Sequence, residues 1–169
     1  NLIKDGRHIL CEWTNTPLTR EDGAVVGVLS MAQDVTKRQR AEAALARTNR
    51  ALTALSACNT TLVHATDETR LLEDICKIIV ERGGYRMAWV GYAERDARKT
   101  VRPMAQAGHD AGYLESLNIV WDGSEHGRGP TGTAIRTGQP CAGQHIPADE
   151  RFAPGRADAL ARGYASSIA

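Results

Sequence analysis

Residues 67–107, DETRLLEDICKIIVERGGYRMAWVGYAERDARKTVRPMAQA, decide the fold class, because a helix pattern is followed directly by two strand patterns. Asp67 is a residue type that commonly caps the N-terminus of a helix. An acidic side chain in the first turn, such as Glu68, is stabilised by the positive end of the helix dipole. Gly83 and Gly84 end the helix, since glycine adopts the left-handed C-cap conformation without strain. The apolar positions recur at helical spacing and mark one face, which predicts a core place for Cys76: Leu71, Leu72, Ile75, Cys76, Ile79 and Val80.

Two strands are predicted after this helix, in residues 85–93 and 100–107, with a turn at 94–99 between them. The first has the apolar composition of a buried strand. Pro103 in the second indicates an edge position or a bulge, because proline cannot donate to a ladder. A helix followed by adjacent strands predicts an α+β fold with an antiparallel sheet.

The rest of the C-terminal part is predicted as short alternating elements. One of these elements is a short helix at 130–137, which has Pro130 in its first turn and Gly138 just past its end. The predicted elements are a strand at 118–121, a loop at 123–129, a helix at 130–137, a strand at 140–146, a loop at 147–154, a helix at 156–162 and a strand from 164.

A β-hairpin is predicted before the helices, with strands at 8–18 and 25–32. The turn between them contains Asp22-Gly23, and a glycine there supplies the positive φ of a tight hairpin. Two strands alone are only marginally stable in water, so this hairpin is expected to need further residues or a partner.

A long helix is predicted over residues 37–64, with Thr36 and Gln39 as a capping box. Apolar or small residues recur along it at alternating spacings of four and three, which is a heptad pattern and indicates packing against a second copy. We call these positions the seam: Ala41, Leu45, Thr48, Leu52, Leu55, Asn59 and Leu62. Polar residues at Thr48 and Asn59 are expected to set the register at some cost in stability.

Charge and hydropathy exclude several classes of partner. The chain has 169 residues with 21 Lys+Arg and 20 Asp+Glu, a formal net charge of +1, so no broad electrostatic binding of nucleic acid is expected. A membrane span needs about 20 mostly apolar residues, and the most apolar stretch, at 23–33, falls well short of that. We therefore expect no nucleic-acid partner and no membrane insertion by this chain.

Cysteine and histidine usage indicates a reducing compartment and no metal site. The five histidines show no spacing typical of metal ligands. The cysteines form no C-x-x-C pair and are far apart in sequence: Cys11, Cys58, Cys76 and Cys141. A cytoplasmic location is therefore expected. Because the chain begins with Asn1 and without a charged-then-apolar leader, we expect it to be a piece of a larger protein, which itself could be membrane-anchored elsewhere.

Residues 127–132, GRGPTG, match the G-x-G-x-x-G spacing of dinucleotide-binding turns, and an acidic pair follows at 149–150. The surroundings argue against that chemistry. Pro130 removes one backbone donor, the following helix is short, and no repeated βαβ pattern surrounds the motif. A glycine-rich structural loop is the favoured interpretation.

Six side chains are candidates for a small-molecule pocket, with a core or surface place as the alternative for each. Tryptophan in a strand is commonly a core residue, and a cysteine or histidine at a strand start can face a pocket. No nucleophile–base arrangement can be argued from their spacing. The candidates are Trp89, Trp121, Thr131, Thr133, Cys141 and His145.

Residues 6–45 resemble the C-terminal part of a PAS domain with its PAC motif. The resemblance is carried by Lys4-Asp5-Gly6-Arg7, Asp22-Gly23, Gly27-Val28-Leu29, Asp34-Val35-Thr36-Lys37-Arg38, Ala41-Glu42 and Leu45. It implies that Asp34 and Thr36 tie the last strand to an outgoing signalling helix. The first half of such a domain is not in the chain.

Residues 52–169 look like a GAF domain of bacterial sensor proteins. The carrying strings are Leu71-Leu72, Ile75-Cys76, 84–92 (GYRMAWVGY), Val101-Arg102-Pro103, 127–134 (GRGPTGTA) and 163–167 (GYASS). The resemblance implies an antiparallel sheet with helices on one face and a small-molecule pocket on the other, and the last strands and closing helix of the family are missing. Together, the two resemblances imply a PAS remnant at 1–36, a linker helix at 37–64 and a GAF domain at 65–169. The signatures for cyclic nucleotides and for bilin attachment are not visible, so the cofactor is unknown.

The two resemblances imply a non-catalytic sensory and relay module of a bacterial histidine kinase, diguanylate cyclase or phosphodiesterase. A homodimer through the linker helix, an unidentified small-molecule ligand and an output domain outside this piece are expected. The alternatives are an enzyme resembling free methionine-sulfoxide reductase and a passive dimerisation or spacer module. The expected relay residues are Asp34, Thr36, Leu45, Thr48, Leu52, Leu55, Asn59 and Leu62.

Overall fold

A computed structural model of the chain describes residues 6–109, 112–116 and 118–169. Lys4 and Asp5, which the PAS resemblance uses, lie outside these ranges. The chain divides into two compact units, Asn1–Asn49 and Arg50–Ala169. The mixed helix and strand content confirms the α+β class predicted from the sequence.

The first unit contains the predicted β-hairpin. Strand β1 (Cys11–Thr19) pairs antiparallel with β2 (Val25–Asp34), in a register that runs from Cys11 opposite Asp34 to Leu18 opposite Gly27. In the turn, Gly23 has a φ of +83°, and its N–H donates to the Arg20 carbonyl at 2.9 Å. Glycine is required there because other residues rarely adopt that φ.

Both faces of the hairpin carry exposed apolar side chains. Trp13 on one face and Met31 on the other are more than half exposed. Val35, just after β2, is buried, and its N–H donates to the Leu10 carbonyl at 2.9 Å. This backbone bond holds the end of β2 beside the segment that leads into β1.

Helix α1 (Thr36–His64) begins one residue earlier than predicted, and the expected capping box is wrong. The Thr36 hydroxyl accepts the Leu10 N–H at 2.8 Å, and the Gln39 N–H makes an ordinary helical bond to the Val35 carbonyl. The first turn is instead served by Asp34, whose Oδ1 accepts the Thr36 N–H at 2.9 Å. Hydrogen bonds from the Thr36 hydroxyl and N–H hold the pKa of Asp34 below its ordinary value.

In the second unit, helix α2 (Glu68–Glu81) has the predicted ends. The Asp67 side chain accepts the Arg70 N–H at 2.8 Å, and Gly84, with a φ of +75°, follows the helix. Cys76 on this helix is fully buried, as its place on the apolar face predicts. Its burial raises the pKa of the thiol.

Helix α2 packs on a second hairpin, formed by β3 (Met87–Ala93) and β4 (Val101–Gly108). The register shifts between Val90 and Gly91, so that Met104 is an extra residue on β4. The bulge indicated by Pro103 is therefore present.

The remaining elements are short. They are α3 (Tyr113–Ser116), α4 (Pro130–Thr137), α5 (Arg156–Ala161), β5 (Ala142–Gly143), β6 (Ser167–Ile168) and two 3-10 turns, Glu125–Gly127 and Glu150–Gly155. Helix α4 has the predicted bounds, with Pro130 in its first turn and Gly138 at a φ of +65° after it. The sequence did not predict α3 or either 3-10 turn.

The strands differ most from the prediction. Besides the first hairpin, β1–β2, one antiparallel sheet was expected for the C-terminal part, but the described strands there form two separate two-stranded sheets, β3–β4 and β5–β6. The predicted strand at 118–121 is a single bridge between Thr100 and Val120. The strands predicted at 140–146 and from 164 are reduced to two residues each, although Cys141 bonds to Ala169 and the Ile146 N–H donates to the Ala165 carbonyl beside them.

Candidate functional site

A cavity of about 580 Å³ in the second unit has mostly charged walls. It lies between the first 3-10 turn, the second 3-10 turn and the start of α5, and we call it the charged cavity. It is lined by Glu125, Arg128, Glu150, Arg151, Ala153 and Arg156. None of these residues was a pocket candidate from the sequence.

Arg136 on α4 holds one wall of the charged cavity in place. Its Nη1 lies 3.3 Å from the Trp121 carbonyl oxygen, 2.5 Å from that of Asp122 and 2.5 Å from that of Gly127. A hydrogen bond to a charged group contributes about 1.5–3 kcal/mol. Arg136 therefore fixes the loop that places Glu125 and Arg128.

The glycine spacing at 127–132 is explained by close backbone approach. A Cβ on Gly132 would overlap the Gly127 and Val120 carbonyls, and a Cβ on Gly127 would overlap the backbone of Asp122. Gly127 also ends a 3-10 turn, whereas a dinucleotide-binding turn follows a strand. The structure gives these glycines a packing role, in agreement with the structural-loop interpretation.

Asp149 organises the opposite wall. Its Oδ1 accepts the Arg151 N–H at 3.0 Å and Arg151 Nε at 2.9 Å, and its Oδ2 accepts Arg151 Nη2 at 2.6 Å. These bonds from Arg151 hold the pKa of Asp149 below its ordinary value. The Asp149 carbonyl accepts Arg156 Nη2 at 2.9 Å, so one residue positions two arginines.

Four charged side chains on these walls are not neutralised within the described ranges 6–109, 112–116 and 118–169. No ion pair or side-chain hydrogen bond occurs there for Glu125, Arg128 or Glu150, and Arg156 makes a bond only to a neutral carbonyl. The Nε of Arg156 is buried without an acceptor. Arg151, by contrast, is paired with Asp149.

A second cavity, of about 520 Å³, lies between α1 and α2. Of the described residues on its walls, Arg82 alone has an ionisable side chain, and most of the others carry hydroxyls or small apolar side chains. It is lined by Leu52, Thr53, Ser56, Ala57, Thr60, Thr61, Ile78 and Arg82.

Three of the pocket candidates from the sequence contact residues that position the charged cavity. Arg136 Nη2 donates to Thr133 Oγ1 at 3.3 Å, and Arg136 Nη1 approaches the Trp121 carbonyl. Arg151 Nη1 lies 3.3 Å from Cys141 Sγ. Thr133, Trp121 and Cys141 therefore surround the cavity walls without lining the cavity.

The other three pocket candidates, Trp89, Thr131 and His145, do not contact one another in the described structure. Trp89 is half-buried on β3, and its ring lies against Gly91 of the same strand. Thr131 is half-buried in the first turn of α4, and His145 is exposed. Neither cavity is lined by any of these three residues.

The relay candidates on α1 form an exposed face. The four seam leucines, Leu45, Leu52, Leu55 and Leu62, are 56–62% exposed. Asn59 and Thr48 are also exposed, and the Thr48 hydroxyl donates to the Ala44 carbonyl at 3.1 Å. Leu52 also lines the cavity between α1 and α2, yet each seam leucine keeps more than half of its surface exposed.

The part of the chain that the structure describes holds neither a metal-ligand cluster nor a membrane-spanning helix. In the described part of the chain, no group of three or more His, Cys, Asp or Glu side chains is placed to hold a metal ion. The helices in that part are all too short or too polar to cross a bilayer.

The thiols are expected to differ in reactivity. Cys76 is fully buried with a raised thiol pKa, whereas Cys141 is half-buried next to the Arg151 guanidinium. We expect iodoacetamide to label Cys141 at least about tenfold faster than Cys76 in the native protein, as measured by peptide mass spectrometry. In urea the two rates should converge, and equal native rates would contradict the core position of Cys76.

Comparisons with known proteins return no match: no family model, no curated protein and no solved structure matches the chain. The geometry of the charged cavity and of α1 is therefore the basis for assigning a function. The PAS and GAF resemblances remain predictions from the sequence.

Proposed function

We propose that the chain is a non-catalytic sensory and relay module of a bacterial signalling protein. It binds a small molecule in the second unit and acts through a dimer of α1 on an output domain outside this piece, a histidine kinase or a cyclic-di-GMP enzyme. The observation that carries the proposal is the exposed seam on α1, a heptad row of leucines without a partner in the described chain.

The exposed leucines support a dimer. Burying a leucine side chain that is otherwise in water contributes about 1.5–3 kcal/mol. Two copies of α1 packed along the seam would bury eight such leucines, four from each chain. Thr48 and Asn59 would lie in the same seam, where polar groups fix the register of a coiled coil.

The connection between α1 and the first hairpin supports a relay. Asp34 accepts the Thr36 N–H, and Thr36 in turn accepts the Leu10 N–H, so the first turn of α1 is bonded to both sides of the hairpin. A shift of the strands would therefore move the start of the helix. A relay further needs two helix packings of similar free energy, and a seam interrupted by polar residues is suited to that.

The dimer is tested by placing a charge in the seam. In the Leu45→Asp variant we expect the dimer dissociation constant to rise at least about 100-fold, because two carboxylates replace two packed leucines. Multi-angle light scattering across a protein concentration series measures the change. The matched control is Ala43→Asp, two residues away on an exposed and opposite face of the same helix.

The control should leave the dimer intact, with circular dichroism showing equal helicity in both variants. A wild-type protein that is monomeric at about 100 μM, or an equal effect of the two variants on the dissociation constant, would contradict the proposed dimer.

A spin label on an unnatural amino acid at residue 43 distinguishes a relay from a passive spacer. Two interchain distance populations support the relay, and one supports the spacer.

A further inference from the structure

The charged side chains that line the charged cavity limit the class of ligand that can bind there. Building on the small-molecule role proposed above, we propose that this cavity binds a small zwitterion that carries both a carboxylate and an ammonium group, as a free α-amino acid does. Three features of the cavity support such a ligand: the signs of the wall charges, the contacts that hold the walls and the composition of the lining.

The free charges in the cavity are balanced. Arg151 is neutralised by its two-point pairing with Asp149. The charges that remain are two cations, Arg128 and Arg156, and two anions, Glu125 and Glu150. A simple anion would meet two carboxylates, and a simple cation would meet two guanidinium groups. A ligand with both signs can pair with each kind of wall group at once.

The arginines are suited to the carboxylate end. A guanidinium binds a carboxylate through two parallel N–H donors, which fixes the ligand's orientation. Within the described part of the chain, Arg156 bonds through Nη2 to the Asp149 carbonyl, and its buried Nε meets no acceptor. A buried donor without a partner costs about 1–3 kcal/mol, and a small reorientation toward a ligand carboxylate would recover that free energy.

The backbone of both walls is held in place before any ligand binds. Arg136 holds the turn between Glu125 and Arg128, and Asp149 holds the segment with Arg151 and Arg156. The exposed side chains of Glu125, Arg128 and Glu150 must still be ordered by a ligand, but a backbone that is already held lowers the total entropic cost of binding.

The lining also argues against a large apolar ligand. Pockets for drug-sized or cofactor ligands have mainly hydrophobic and aromatic walls. Among the residues that the structure describes, Ala153 is the one apolar residue on this cavity, and no aromatic side chain lines it. The volume of about 580 Å³ is nevertheless within the range of small-molecule sites.

Isothermal titration calorimetry with matched probes tests the proposal. The probes are L-alanine, L-leucine, L-glutamate and L-lysine, with propionate as the carboxylate half of alanine and ethylamine as its ammonium half. We expect at least one amino acid to bind with a Kd below about 1 mM, and both halves to bind at least about tenfold more weakly. The proposal of a zwitterionic ligand would be wrong if propionate bound as tightly as the amino acids, or if no amino acid bound at all.

Wall variants locate the binding. Arg128→Gln and Glu150→Gln each remove one charge from a side chain without a contact to lose, and each should weaken the best amino acid at least about tenfold. The control Arg95→Gln removes an exposed arginine of the 94–99 turn and should leave the Kd unchanged. If the wild type and both wall variants bind the best amino acid with the same Kd, the ligand binds elsewhere and the proposed site is wrong.

The same titration on the Leu45→Asp variant separates this inference from the proposed function. Amino-acid binding by a protein that never dimerises would support the ligand and contradict the dimer. A stable dimer that binds none of the probes would leave the dimer standing and overturn the zwitterion.

Discussion

Replacing Gly132 with alanine is expected to destabilise the second unit by about 3 kcal/mol or more. The new Cβ would overlap two backbone carbonyls, those of Gly127 and Val120, and neither can move as a side chain can. The Gly127 carbonyl is also one of the oxygens that Arg136 binds. The substitution should therefore displace the turn that carries Glu125 and Arg128 as well as lower the stability.

Urea denaturation followed by circular dichroism measures this effect, with Gly123→Ala as the control. A Cβ on Gly123 would meet nothing within 4 Å, and its φ is not positive, so this variant should stay within about 0.5 kcal/mol of the wild type. A second variant, Gly127→Ala, should behave like Gly132→Ala, because its Cβ would meet the backbone of Asp122. Equal midpoints for Gly132→Ala and Gly123→Ala would show that the loop can relax.

Local elements were predictable from the sequence because their signals lie within a few residues. The bounds of α4 follow from Pro130 and Gly138, and the N-cap of α2 follows from Asp67. The bulge on β4 was indicated by Pro103 alone. Each of these features depends on backbone conformation at one position, which a residue type specifies directly.

The sheet arrangement was less predictable because strand length depends on distant partners. Residues 118–121 have the composition of a strand, but only the bridge between Thr100 and Val120 forms. At the end of the chain, Cys141 and Ala169 exchange both of their backbone hydrogen bonds, although 28 positions separate them. No pattern within either segment specifies that pairing or limits it to two residues per strand.

The charged cavity was missed for the same reason. Its walls come from two segments around residues 125–128 and 150–156, and each segment alone has the composition of a polar loop. The sequence drew attention to the glycines and the acidic pair at 149–150 only as a match to dinucleotide-binding spacing, and a structural loop was favoured there. A signal was present in the arginines at 128, 151 and 156, whose convergence needs the contacts of Asp149 and Arg136.

Replacing Ile146 with alanine is expected to destabilise the second unit by about 2–5 kcal/mol, the cost of removing a large aliphatic side chain from a core. Ile146 is 1% exposed and is one of the two largest side chains that the described fold buries completely. Its N–H donates to the Ala165 carbonyl at 2.9 Å, while the carbonyl of the preceding residue accepts the Asp149 N–H. Ile146 therefore anchors the turn from which Asp149 positions Arg151 and Arg156.

Ile168→Ala is the matched control, because that isoleucine is 62% exposed and its truncation should cost no more than about 0.5 kcal/mol. Hydrogen exchange measured peptide by peptide resolves the effect within the chain. Since the two units are separately compact, Ile146→Ala should accelerate exchange in residues 50–169 and leave the β1–β2 hairpin at its wild-type rate. Acceleration of equal size in the hairpin would show that the units unfold together, and in that case a ligand in the charged cavity would stabilise the first unit as well as the second.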